Sequence, residues 1–239
     1  MKLYQILIFC CLFLFACSRP TAEKISTKSI HFHGMEKLNN ATLKFNFRNF
    51  KLKATQSDGR FTYERMFTDS TGKVHDILNN DGFTRVVNEK VLQLDAKKTA
   101  AYTESLNALF YFTYLPLKLN DPSVIKKYLG EKSLNDKLYY KVEISFKQKG
   151  GGKDYDDVYY YYFDKEDYSM DFLSYSTGGN RFRAVLKIHD VDGVKLQDYI
   201  NYQSPTGDSI TPISSYDSLY QAGKLRELSR IEISDIVIN

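Results

Sequence analysis

Residues 61–88 read FTYERMFTDSTGKVHDILNNDGFTRVVN. Large apolar side chains alternate with polar ones at its start, as at Phe61 and Tyr63, and this period of two predicts strands with one buried face. Asn-Asn-Asp-Gly at residues 79–82 predicts a tight hairpin, because these residue types tolerate positive φ. The stretch therefore predicts consecutive antiparallel strands.

The same alternation recurs on both sides of this stretch. Glycine-containing turns separate several of the later segments, and no βαβ alternation is present. This organisation favours an antiparallel sheet with helices packed on one face, in a mainly β (α+β) fold class. Further strands are predicted at residues 42–48, 91–94, 138–146, 157–163, 170–175, 181–190, 194–202 and 230–238.

Helices are predicted where the alternation stops. Apolar spacing favours an amphipathic helix over residues 23–38 and another over residues 97–112, followed by an aromatic loop at residues 111–117. Asp121 as N-cap and Pro122 in the first turn predict a short helix ending at Gly130. The segment 216–223 is compatible with more than one structure.

The composition argues against one class of partner. The 239 residues carry a net charge of +4 with positive and negative side chains intermixed, whereas a nucleic-acid surface would show a basic stripe. The chain holds 19 Tyr and 16 Phe but no Trp. Tyr combines a large ring with a polar tip, so these residues favour aromatic surfaces that are partly wet. The alternative is a Tyr-rich sheet core.

All 3 cysteines lie at the N-terminus, the last of them at Cys17. Lys2 precedes an apolar block at residues 6–16 that is far shorter than the ~20 residues of a membrane span, which predicts a signal peptide. Leu14-Phe15-Ala16-Cys17 resembles the lipobox of bacterial lipoproteins. The resemblance implies cleavage after Ala16 and acyl chains on Cys17, and therefore a membrane as partner.

The same resemblance implies a location. Ser18 follows the cysteine, and in lipoproteins a residue other than Asp at this position favours transfer to the outer membrane. The absence of an acidic run favours its periplasmic face. We therefore expect a signal peptide at residues 1–17, a tether at residues 18–28 and a single domain at residues 29–239.

A second resemblance covers much of the later chain. The segments that carry it are residues 114–121, 127–130, 150–154 with Asp157, 178–183 and 198–202. In this order they resemble a family of secreted lipoproteins, mostly from Bacteroidota, that share the fold of the lipoprotein carriers LolA and LolB. The resemblance implies a strongly curved antiparallel half-barrel with short helices packed on the concave face as a lid.

We expect such a cavity to bind a lipid or other hydrophobic ligand. Arg181 and Arg183 share one strand face, where each could grip an anionic headgroup or, as the simpler reading, form an ion pair with Asp157 or Asp198. The alternative function is a non-catalytic scaffold or envelope-complex subunit whose cavity is plugged by its own helices. The candidate ligand-binding residues are Phe110, Phe112, Tyr114, Tyr160, Tyr162, Arg181 and Arg183.

Catalytic chemistry finds little support in the sequence. His31 and His33 with Glu36 could be metal ligands, but residues two apart on a helix point to different sides, so we expect no metal site. His189-Asp190 is expected to be a polar pair at a strand end. No G-x-S-x-G, H-E-x-x-H or phosphate-binding glycine loop is present. We expect a protein without cofactor that is not an enzyme, and its protein partner is unknown.

Overall fold

The alternating segments form two antiparallel sheets in the computed structural model, which describes residues 20–150, 155–207 and 210–239. Successive strands pair through short turns, as the hairpin signals predict. The first sheet contains β1 (Thr42–Phe47), β2 (Phe50–Ser57), β3 (Arg60–Asp69), β4 (Gly72–Asn79), β5 (Gly82–Val87), β6 (Lys90–Val91) and β14 (Ile233–Ile238). The second contains β7 (Val124–Leu134), β8 (Lys137–Phe146), β9 (Tyr159–Asp164), β10 (Met170–Tyr175), β11 (Arg181–Val191), β12 (Val194–Gln203) and β13 (Arg226–Ile231).

The two sheets are joined at their edges. The first has the order β14-β1-β2-β3-β4-β5-β6 and the second β13-β12-β11-β10-β9-β8-β7, and Glu232 alone separates β13 from β14. Hydrogen bonds between Thr42 and Asn239, at 2.8 and 3.0 Å, hold the last strand on β1. The result is an unclosed, curled antiparallel sheet, which confirms the predicted fold class.

Three α-helices occur within the described residues: α1 (Ala22–Phe32), α2 (Ala96–Thr113) and α3 (Tyr216–Gln221). The structure confirms the two longer predicted helices, one before β1 and one after β6. The first ends earlier than predicted, because α1 is followed by a separate 3-10 helix at Met35–Asn40. Asp95 caps α2 by accepting a hydrogen bond from the Lys98 backbone N–H at 2.7 Å. The undecided segment near the C-terminus forms α3.

The prediction of a short helix from Asp121 to Gly130 is wrong. This segment enters β7, which pairs with β8 along its length. Its burial alternates because successive side chains face opposite sides of the sheet, and most positions are at best half-buried because β7 is an edge strand. The Asp-Pro signal marks a turn before a strand here.

The helix α1 begins inside the segment expected to be a tether, residues 18–28. Ala22 and Ile25 are buried against the second sheet. At the other end of α1, Gly34 has φ +61°, and a Cβ there would collide with the backbone carbonyl of Gly193 in the β11–β12 turn. A glycine is required at this close approach.

His33 fastens α1 to the second sheet. Its Nδ1 lies 3.1 Å from the Lys195 carbonyl oxygen, and its Nε2 accepts a hydrogen bond from the Met170 N–H at 3.2 Å. The side chain is fully buried, and this burial lowers the pKa of the imidazole from 6.5 to about 4. His33 is therefore a neutral, structural residue.

A buried ionic cluster crosses the first sheet. Asp76 on β4 accepts hydrogen bonds from Arg65 Nη2 at 2.7 Å and from Arg85 Nε at 2.6 Å. Arg65 Nη1 also donates to Ser105 Oγ of α2 at 3.0 Å, so the cluster attaches the helix to the sheet. Two guanidinium groups thus depend on one buried carboxylate.

We expect Asp76→Asn to lower the free energy of unfolding by about 3–5 kcal/mol, because it leaves two buried cations without an anion. Urea denaturation measures the change. Asp81→Asn is the matched control, since Asp81 forms an exposed ion pair with Arg60 at 3.5 Å and its loss should cost less than about 1 kcal/mol. Equal effects of the two substitutions would contradict the role assigned to Asp76.

The imidazole of His33 should make stability depend on pH. The unfolded chain takes up a proton at His33 near pH 6.5, whereas the folded chain resists it down to about pH 4. Stability from this residue is therefore present above pH 6.5 and decreases as the pH falls, by about 3 kcal/mol in total. Urea denaturation across this range should show a flatter profile for His33→Gln than for the parent. His31→Gln, at an exposed position, controls for loss of an imidazole, and identical profiles for His33→Gln and the parent would contradict the account.

Candidate functional site

A cavity of about 350 Å³ lies between α2 and the concave faces of both sheets. Its volume is near the lower end of the ~300–1,000 Å³ typical of small-molecule sites. Most of its wall is apolar. The lining residues are Phe45, Phe47, Arg48, Phe50, Leu52, Arg65, Ser105, Ala108, Leu109, Phe112, Thr113, Leu115, Arg183, Leu196, Gln197, Tyr199, Ile231 and Ile233.

The helix α2 forms one wall because it has two apolar sides. Ser105, Ala108 and Phe112 recur at helical spacing and line the cavity. Leu106 and Phe110 lie on a different side of the helix and are buried in the core of the first sheet. α2 therefore fills part of the concave space and leaves the rest open.

Three arginines line this cavity, and no Asp or Glu side chain does among the described residues. Their environments differ. Arg65 is bonded to Asp76, as described above, and Arg48 is exposed and stacks on Phe47, its guanidinium carbon 4.9 Å from the ring centroid. Arg183 on β11 is half-buried in the wall of the second sheet.

Arg183 is surrounded by aromatic rings. Its guanidinium carbon lies 4.1 Å from the ring centroid of Phe112, 4.9 Å from that of Tyr175 and 5.9 Å from that of Tyr199. Its Nε is buried and has no hydrogen-bond acceptor within the part of the chain that the structure describes. Cation–π contacts hold the charge in place.

The polar groups next to Arg183 satisfy one another. The Tyr199 hydroxyl donates to Gln197 Oε1 at 2.7 Å, and Gln197 Nε2 donates to the Met170 carbonyl oxygen at 3.1 Å. Burial raises the pKa of Tyr199 above its ordinary value, so its hydroxyl stays neutral. This side of the cavity therefore presents one cation in an otherwise neutral wall.

Two of the residues proposed from the sequence, Phe112 and Arg183, lie together in this cavity. Phe110 and Tyr114 do not line it, because both are fully buried in the core of the first sheet. The Phe110 ring stacks on Tyr63 with centroids 4.4 Å apart. The contact between the Phe110 and Tyr63 rings positions α2 on the first sheet.

Tyr160 and Tyr162 lie on the opposite, convex side of the second sheet. Successive residues of β9 point to opposite faces, so Tyr159 and Tyr161 face the interior. Tyr162 packs instead with Phe182 and Tyr216 beneath α3. Lys141 Nζ, 2.7 Å from Asp217 Oδ2, holds that helix in place.

The other polar candidates form hydrogen bonds outside the cavity and stabilise the fold. Arg181 donates to the Asn180 carbonyl oxygen at 2.8 Å and is not among the cavity residues. Asp198, considered as a partner for the arginines, lies 2.8 Å from His189 Nε2 and accepts the Ile233 N–H at 2.8 Å. Asp157 instead accepts hydrogen bonds from Ser176 and Thr177.

The histidines do not converge. His33 is committed to the second sheet, whereas His31 is exposed, with Nδ1 3.9 Å from Glu36 Oε1. Among the described residues, no group of three or more His, Cys, Asp or Glu side chains could hold a metal ion.

Sequence reasoning missed much of the apolar wall. Phe45 and Phe47 lie on the same face of β1, and the alternation at residues 42–48 is the signal that pairs them. Ile231 and Ile233 come from the two strands at the sheet junction. The sequence contains no local sign of that junction. It predicts one continuous strand at residues 230–238, whereas the structure divides this segment between β13 and β14.

Cys17 lies outside the described residues. Within the described residues, no helix has the length and apolar character of a membrane span.

The fold is similar to solved structures at low sequence identity. A LolA superfamily protein from Nitrosomonas europaea gives a TM-score of 0.49 at 9% identity, with 91% of this chain and 93% of that chain covered. A DUF1329 family protein from Desulfovibrio piger gives 0.43 at 9% identity, with 90% and 92% covered. A domain from Vibrio parahaemolyticus described as an outer membrane lipoprotein-sorting protein gives 0.45 at 10% identity, with 90% and 93% covered.

No curated protein sequence matches this chain. Residues 2–233 match the model of one protein family, which is described as a family of unknown function. The chain therefore belongs to the DUF6503 family.

Proposed function

We propose that the protein is a membrane-anchored envelope lipoprotein that binds a lipid or other hydrophobic ligand in the cavity between α2 and the two sheets. The observation that carries this proposal is the apolar cavity itself, lined by Phe, Leu and Ile side chains from both sheets. Water forms few hydrogen bonds with such a wall. An apolar ligand, by contrast, gains a binding free energy of roughly 25 cal/mol per Å² of apolar surface buried. We propose no catalytic role.

The position of α2 supports access to the cavity. Ser105 and Ala108 are exposed and also line the cavity, so its opening lies beside this helix. The Arg65–Ser105 hydrogen bond, at 3.0 Å, fastens the helix near the same point. We propose that α2 acts as the lid over the ligand.

A second candidate is a scaffold subunit whose concave face is plugged by its own helices. The observation in its favour is that Phe110 and Tyr114 of the α2 region fill part of the concave face. Their packing leaves the neighbouring cavity open, which favours the ligand-binding proposal.

The anchor is proposed from Cys17 and the motif before it. Acyl chains contribute ~0.8 kcal/mol per buried methylene, so several chains would hold the protein stably on a membrane. We propose the periplasmic face of the outer membrane as the site of anchoring, on the grounds of Ser18 and the absence of an acidic run after it.

Substitution of the anchor should release the protein. We expect Cys17→Ser to move the chain from the membrane fraction to the soluble fraction with its circular dichroism unchanged, because the described core contains no cysteine. Cys11→Ser is the control, since it leaves the lipobox intact. Retention of Cys17→Ser in the membrane or its precipitation would contradict the tether, and cleavage of the parent by protease added to intact cells would contradict the periplasmic location.

Filling the cavity should abolish ligand binding. We expect Ala108→Trp, in the soluble Cys17→Ser protein, to weaken binding of the neutral apolar dye N-phenyl-1-naphthylamine by about tenfold or more, because the indole ring occupies the cavity. Fluorescence titration measures the dissociation constant.

The control is Ala101→Trp, at an exposed position of α2 that does not line the cavity. It should bind the dye as the parent does. The proposal fails if the folded parent does not bind the dye, or if both tryptophan variants bind it equally well.

A further inference from the structure

Arg183 is in a costly environment that the fold alone does not explain. The charge of Arg65 is met by the buried carboxylate of Asp76, and that of Arg48 is met by water. Arg183 is half-buried in an apolar wall, and no described carboxylate forms an ion pair with it. A guanidinium in such a place loses solvation without gaining an anion.

The aromatic rings compensate only part of that cost. Phe112 and Tyr175 attract the guanidinium through cation–π contacts. These contacts leave the buried Nε without a hydrogen-bond acceptor among the described residues. The neighbouring acceptor Gln197 Oε1 is already used by the Tyr199 hydroxyl, at 2.7 Å. Arg183 is only half-buried and lines the cavity, so its terminal Nη groups are the donors that a ligand in the cavity can reach.

The rest of the cavity wall indicates which chemical group carries the anion of such a ligand. From Arg183, the cavity continues along Phe112 and Leu109 of α2 to Phe45 and Leu52 of the first sheet. No acidic side chain lines this path among the described residues. The volume of about 350 Å³ is near the lower end of the range for small-molecule sites, which favours one acyl chain over a lipid with several chains.

We propose that the cavity selects a single-chain amphiphile with a carboxylate headgroup, such as a long-chain fatty acid. Arg183 binds the carboxylate, and the chain lies between α2 and the first sheet. A carboxylate matches the single charge of Arg183 and the paired donors of its guanidinium. This inference rests on the proposed function, because it names the ligand class of the same cavity.

Photo-crosslinking in membranes that contain the full-length lipidated protein tests the headgroup. The probes are a diazirine analogue of palmitic acid, the corresponding alcohol and the corresponding phosphate monoester, which share one chain. Peptide mass spectrometry quantifies the label on α2, β1 and β11. We expect the acid to label these segments about tenfold or more above the alcohol, since only the acid forms a charge-assisted hydrogen bond with Arg183.

Variants assign the effect to Arg183. Arg183→Gln should reduce labelling by the acid to the level of the alcohol, while Arg183→Lys, which keeps the charge, should retain part of the preference. Arg181→Gln is the matched control, because Arg181 lies on the same strand and does not line the cavity. Circular dichroism checks that each variant folds, and Arg183→Lys serves as the test if Arg183→Gln does not.

The outcomes separate the two proposals. Equal labelling of the parent by acid and alcohol would overturn the headgroup assignment and leave hydrophobic binding intact. Stronger labelling by the phosphate monoester would overturn the choice of a carboxylate. Absence of cavity labelling by all three probes would overturn the proposed function. Loss of the acid preference in Arg181→Gln as well would show that Arg183 is not the selecting residue.

Discussion

The passage of the chain from β13 into β14 is the constraint on which the rest of the structure depends. A single residue, Glu232, separates the edge strand of one sheet from that of the other. Asp198 fixes this junction, because its carboxylate accepts the Ile233 N–H and also lies 2.8 Å from His189 Nε2. The two sheets are therefore joined along this edge, and the cavity lies between their facing sides.

The helices divide that space unequally. The α2 residues Leu106 and Phe110 complete the core of the first sheet, and α1 covers part of the second. The cavity remains between them, with the junction residues Ile231 and Ile233 in its wall. The buried cluster around Asp76 stabilises this arrangement, since it links β3, β4 and β5 to α2. Stability of the first sheet and the position of the lid thus share one set of contacts.

The sequence predicted α2 and most of the strands, because period-two and helical patterns depend on local burial. It missed β2 and β7 and merged β13 with β14. It could not decide which Tyr side chains of β9 face the interior, since all positions of Tyr159–Asp164 are buried and no alternation survives. None of these side chains lines the cavity. It misassigned the start of β7, where a Pro-containing turn resembles a helix start. The environment of Arg183 arises from β10, β12 and α2 together, so only the folded chain reveals it.

The central claim is that the space between α2 and the sheets holds an apolar chain. Native mass spectrometry of the protein released gently from its own envelope membranes tests it most directly. The account predicts a non-covalent mass of one single-chain lipid, which is lost on organic extraction and absent from Ala108→Trp prepared in the same way. Repeated preparations of folded protein that carry no non-covalent mass, or an equal mass on Ala108→Trp, would contradict it.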